Sequence, residues 1–244
     1  MAKLRDFDHW LLLIWLLITG LIVFGFVVSW NESLLHTLYA TDKSRISLLI
    51  GLLYFLGTAH CAKRTAYLAA EIDLVTRVDY AVGAQAVPVQ IDRDSITIQG
   101  QTVSPDSILG SHLVALSGRP RDAETRVQDS EHSTLVDVLV SQAKGSHDIG
   151  WYVVDILLKL GLIGTIVGFI LMLGSVADTA SLDVNTMQKV LKQMSAGMGT
   201  ALFTTLAGLT GSILLGLQYL LLDKGADLLI ERILRLSESR LLLP

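Results

Sequence analysis

In the last third of the chain, hydroxyl-bearing and small residues recur at a fixed interval. Thr200, Thr204, Gly208, Ser212 and Gly216 fall four apart, and Ala201 with Thr205 makes a parallel row beside them. Upstream, in the run from Lys159 to Gly168, Gly161 with Thr165 and Gly164 with Gly168 form two adjacent small rows. Small residues four apart let helix backbones approach closely, and threonine hydroxyls there bond across the contact or back to their own helix. Hydroxyls from several helices facing a common axis would also make a narrow, uncharged, water-tolerant path in which an acid on a partner helix changes protonation. Packing alone and an ion path both remain open on this pattern. Asp155 and Lys159, one turn apart, read as a boundary ion pair with the lysine snorkelling; a place at the cytoplasmic mouth of a path is the alternative.

These residues need helices in a bilayer. The 244-residue chain is 51% hydrophobic and 17% charged, where a soluble domain carries about 25% charged residues. Four apolar stretches have the length to cross about 30 Å of hydrocarbon: His9–Trp30, Ile46–Ala62, Trp151–Ala177 and Ala196–Leu222. The first is too long for a signal-peptide core and is expected to be retained, with Trp10 and Trp30 as interfacial anchors. Most Lys and Arg lie before the first stretch, between the second and third, and after the fourth, whereas the two remaining loops hold only Lys43, Arg45, Lys189 and Lys192. That bias puts both termini and the central segment in the cytoplasm.

The fold expected is an all-α polytopic membrane protein with four transmembrane helices in two hairpins. Residues 1–62 form the first hairpin, 63–149 a cytoplasmic insert, 150–222 the second hairpin, and 223–244 a cytoplasmic amphipathic helical tail. Within the insert, Lys63–Val82 reads as helix. Val87–Val103 alternates around Asp92-Arg93-Asp94 and reads as a small β-hairpin. Asp106–Leu116 reads as a short helix after Pro105, and Gly118–Asp129 as a loop. Helix resumes from Ser133, with Gly145 and Gly150 weakening its continuity into the third span. Leu228, Leu229, Ile233 and Leu236 give the tail its apolar stripe.

Two motifs, Gly161-Leu-Ile-Gly-Thr-Ile-Val-Gly168 and Ala201-Leu-Phe-Thr-Thr-Leu-Ala-Gly208, resemble those of the MotA/TolQ/ExbB family of ion-driven motor channels. They come in the family's order, separated by a short outside loop and preceded by a large cytoplasmic insert. The resemblance implies the pore-forming ring subunit of a bacterial inner-membrane motor complex, a homopentamer around two copies of a MotB/TolR/ExbD-like single-span partner. The partner would supply the essential aspartate, because the hairpins bury no carboxylate of their own. It further implies an ion path at Thr165, Thr204 and Thr205, with Gly161, Gly164, Gly168, Thr200, Gly208 and Ser212 packing the pore helices. The transported ion would be a proton, with sodium as the alternative, and no cofactor is expected. ExbB and TolQ carry a glutamate where Thr200 stands, which draws the likeness toward the four-span stators. The family's prolines before each motif are replaced by Leu158 and Ala196.

The competing reading is a non-conducting membrane scaffold whose Gly/Thr stripes only pack helices. An enzyme is not expected, since the chain has no P-loop, HExxH or Ser/His/Asp arrangement. A net charge of −4 gives no footprint for nucleic acid. His60 and Cys61 are adjacent, so they point apart on a helix and read as boundary residues.

Overall fold

The computed structural model describes residues 5–31, 42, 44–83, 87–91, 96–117, 125–177, 184–239 and 241–242. In order these form α1 (Arg5–Asn31), α2 (Ile46–Val82), the strands β1 (Val87–Pro88), β2 (Gln90–Ile91), β3 (Ile96–Ile98) and β4 (Gln101–Val103), then α3 (Ile108–Ser117), α4 (Thr125–Lys144), α5 (His147–Ala177), α6 (Val184–Ser239) and β5 (Leu241–Leu242). Among the described residues, three helices are long and apolar enough to cross a membrane: α2, α5 over His147–Gly174 and α6 over Val184–Ser237. The chain is therefore a multi-pass membrane protein. Four spans were expected. The described apolar stretch of α1, Leu13–Gly25, falls short of a crossing, and the side chains of His9, Trp10 and Trp30 lie outside the described residues.

Two compact units divide the contacts. One holds Ile14–Cys61 and Ile149–Leu220, the other Met1–Leu13, Ala62–Asp148 and Leu221–Pro244. With 37 residues in α2 and 56 in α6, these helices are about 55 and 84 Å long at 1.5 Å per residue, well beyond the hydrocarbon thickness.

The second unit is a mixed layer with its own core. Leu68, Glu71, Val75, Val78 and Val82 are buried on α2, and Leu222, Ala226, Leu229, Ile233 and Leu236 on α6. Both sets step by three and four residues, the spacing of a seam between packed helices, and Arg232 Nη1 donates to Thr76 Oγ1 at 2.9 Å. Gly83, at φ +63°, ends α2, its N–H returning to the Asp79 carbonyl at 3.1 Å; glycine takes this left-handed C-terminal position without steric cost.

α2 also caps its neighbours in this unit. Glu71 Oε2 accepts from Ile108 N–H at 3.2 Å, at the start of α3, where Ser107 Oγ also accepts from Gly110 N–H at 3.0 Å. An anion suits that end of a helix. Ser107 is thus the cap, and Pro105 sits in the turn ahead of α3 rather than in its first helical turn. Burial pushes the Glu71 carboxyl above its ordinary value, partly offset by the Ile108 N–H, the Tyr67 hydroxyl and nearby Arg64. Arg64 Nη2 donates to the carbonyls of Gln142 and Ala143 at 2.9 and 3.0 Å, a cation on the last turn of α4.

The hairpin expected over 87–103 is present only as strands of two and three residues. β3 pairs antiparallel with β4 and with β2. The β3–β4 turn is Gln99-Gly100, with φ of +46° and +79°, as a two-residue turn matched to strand twist requires; Asp92, Arg93 and Asp94 lie outside the described residues. β5 pairs parallel with β1, Val87 opposite Leu241. The tail, expected to be helical, is helical to Ser239, and Leu241–Leu242 form β5.

Candidate functional site

α5 and α6 meet where the two motifs lie. A Cβ added to Gly208 would stand 2.7 Å from both Gly161 Cα and the Leu157 carbonyl oxygen, and one added to Gly168 would stand 2.6 Å from Ala201 N and 2.7 Å from the Gly197 carbonyl oxygen. Real Cβ contacts do not come this close, so a side chain at either glycine would force the two backbones apart at this crossing. Gly161 faces Gly208 and Thr204, and Gly164 faces the Thr204 side chain directly. Glycine provides the approach and threonine fills the remaining gap.

The threonines divide by exposure. Thr200 and Thr204 are fully buried, whereas Thr165 and Thr205 are half-buried. The Thr204 hydroxyl donates to the Thr200 carbonyl at 2.8 Å, and that of Thr205 to the Ala201 carbonyl at 2.9 Å, with Gly161 O across the pair at 3.3 Å. Thr165 donates to the Leu162 carbonyl at 2.6 Å, and Thr200 to the Ala196 carbonyl at 3.1 Å. Within the chain, therefore, Thr204 keeps company with the packing glycines, while Thr165 and Thr205 border the pair. Ser212 is half-buried farther along α6. Asp155 and Lys159 form an ion pair with each other on α5, both side chains about half exposed or more.

Sequence reasoning missed several polar contacts. His147, the first residue of α5, is buried, and its Nδ1 lies 2.6 Å from Asp223 Oδ1 on α6. Burial pushes this imidazole below its ordinary value, against the pull of Asp223; Arg64 and Lys144 push the same way as burial. Lys144 pairs with Asp227 at 2.5 Å. In the other unit, His60 Nδ1 lies 2.8 Å from the Tyr219 hydroxyl, the Cys61 thiol is buried, and Gly150 faces the Tyr219 ring so closely that no Cβ would fit. Only partners distant in sequence make these residues informative, so no local signal marks them.

The arrangement defines a helical membrane protein in which a glycine-locked helix pair carries hydroxyls through an apolar layer without a net charge. Residues 141–234, a segment that contains both motifs, match the sequence model of the MotA/TolQ/ExbB proton channel family. No curated protein and no solved structure gave a match.

Proposed function

We propose that this chain is the pore-forming ring subunit of an ion-driven motor in a bacterial inner membrane. The family match across the hydroxyl-bearing helix pair carries this reading. Thr165 and Thr205 line the ion path, and a proton is the favoured ion, with sodium as the alternative. Asp155 is neutralised by its own Lys159, so the titrating aspartate comes from a MotB/TolR/ExbD-like single-span partner, two copies of which sit within a homopentamer. α1 is the fourth span, and both termini are cytoplasmic. The chain performs no enzymatic chemistry and conducts nothing alone.

The experiment is proton flux into vesicles holding the chain together with its partner. Thr165→Leu and Thr205→Leu should each abolish flux while Thr205→Ser retains it. Undiminished flux in both leucine variants would remove these residues from the path. The second reading, a non-conducting scaffold, draws on the complete burial of Thr204 among the glycines; it requires that no partner elicits flux.

A further inference from the structure

Residues 184–195 of α6 precede the apolar stretch that begins at Ala196 and reach about 18 Å ahead of it at 1.5 Å per residue. Along them Val184, Met187, Leu191, Met194 and Met198 follow one another in alternating steps of three and four residues. They hold successive a and d positions of a heptad. Val184, Met187, Leu191 and Met198 are each about half exposed or more, and Met194 is half-buried. α5 takes the adjacent face of α6, where Gly197 lies against Met172 and Ala201 against Gly168. That leaves the row open among the described residues.

A helix surrounded by lipid is apolar all round, whereas Asn185, Gln188, Lys189, Lys192 and Gln193 occupy the rest of this circumference. An amphipathic helix lying flat at the bilayer surface would have to break from its span, yet α6 runs unbroken from Val184 to Ser239. A narrow a/d row is instead the seam by which one helix packs along another. The flanking positions choose the partner. Gln188, Val190, Ser195 and Gly197 stand at e and g and carry no charge, while Lys189 and Lys192 at f and b turn away. Identical copies therefore meet in parallel with no like charges facing, and a charged partner helix would find nothing complementary beside the seam.

We infer that this row is a homotypic seam through which the α6 helices of several copies of the chain pack side by side, forming an apolar collar ahead of the span. The collar rests on the multi-copy ring proposed above but not on ion conduction. Seven-residue steps carry the row from Val184, Leu191 and Met198 on to Thr205 and Ser212, both half-buried. The face that joins the copies thus also turns Thr205 toward their common axis, and the collar opens onto the hydroxyls of the proposed path.

Cross-linking of the full chain alone in lipid vesicles, with no partner protein, tests this. With a short bifunctional maleimide, Met187→Cys and Leu191→Cys should each give covalent dimers. Lys189→Cys, on the opposite side of the helix, and the parent chain, whose Cys61 is buried, should give none. Dimers from Lys189→Cys at the level of Leu191→Cys, or none from either seam variant, would overturn the seam. Adding Leu191→Asp to Met187→Cys sets like charges against each other and should abolish the dimer; an undiminished dimer would also overturn it. Flux with a partner separates the seam from the function. Seam dimers without flux leave the seam standing and remove the ion path, whereas flux without seam dimers removes the seam alone.

Discussion

Replacing Gly208 by alanine tests the helix crossing most directly. The new Cβ would stand 2.7 Å from Gly161 Cα and 3.0 Å from Gly161 N, whereas carbon atoms settle at about 3.5–4.0 Å. Both obstacles are backbone, so α5 and α6 must separate by about 1 Å. Overpacking of this kind costs about 1–3 kcal/mol, and the helix-forming advantage of alanine returns about 1 kcal/mol, leaving about 0–2 kcal/mol of destabilisation. Gly51 on α2 provides the control, since among the described residues nothing lies within 4 Å of its added Cβ; Gly51→Ala keeps the propensity gain alone. The two variants should therefore differ by about 1–3 kcal/mol. For a protein of this size that corresponds to roughly 2–12 °C in melting temperature. The assay is thermal unfolding of each full-length variant in the same detergent or bilayer. If Gly208→Ala melts at or above Gly51→Ala, the close crossing is refuted.

Two titratable groups predict opposite pH responses. Because burial raises Glu71, the folded form binds more protons than the unfolded chain above the ordinary value of 4.5; its contribution is lost as pH rises through that window. Glu71→Gln keeps an acceptor for Ile108 and should flatten this loss in melting curves taken between pH 4.5 and 7. His147 is lowered from 6.5, so its contribution is complete above 6.5 and declines as pH falls below it. His147→Gln should remove that acid-side decline, and an unchanged melting profile of the parent protein from pH 7 to 5 would contradict the dominance of burial at this imidazole. Arg64→Lys replaces a fork serving two carbonyls with a point donor and should cost about 0.5–1.5 kcal/mol, read as faster amide exchange in the last turn of α4.

The sequence revealed the features that repeat locally. The four-residue rows on α5 and α6 marked the crossing because small residues at that interval align on one helix face. Of the stripe Leu228, Leu229, Ile233 and Leu236, the last three are buried and Leu228 is half-buried at its edge. What depended on distant partners was hidden. Gly145 and Gly150 look alike as helix breakers, yet α4 ends just before Gly145 while Gly150 lies within α5, because the Tyr219 ring occupies the space a Cβ would need. The β1–β5 pairing joins two-residue strands from opposite ends of the chain, too short for periodicity to register. His147 and Asp223 are separated by 76 positions, and nothing local to either announces the pair. Thr165, Thr204 and Thr205 were equivalent in the motifs; their different burial emerges only when α5 lies against α6.

The hydroxyl bonds along this pair have an electrostatic consequence. Each of Thr165, Thr200, Thr204 and Thr205 donates its proton to a carbonyl of its own helix. A hydroxyl has one proton and two lone pairs, so what these groups turn outward is electron density. On the ion path proposed above, Thr165 and Thr205, the two that are not sealed in the crossing, would therefore present acceptors to a passing ion. In that reading such a surface would solvate hydronium or a bare cation and offer nothing to chloride, a charge selectivity with no charged side chain.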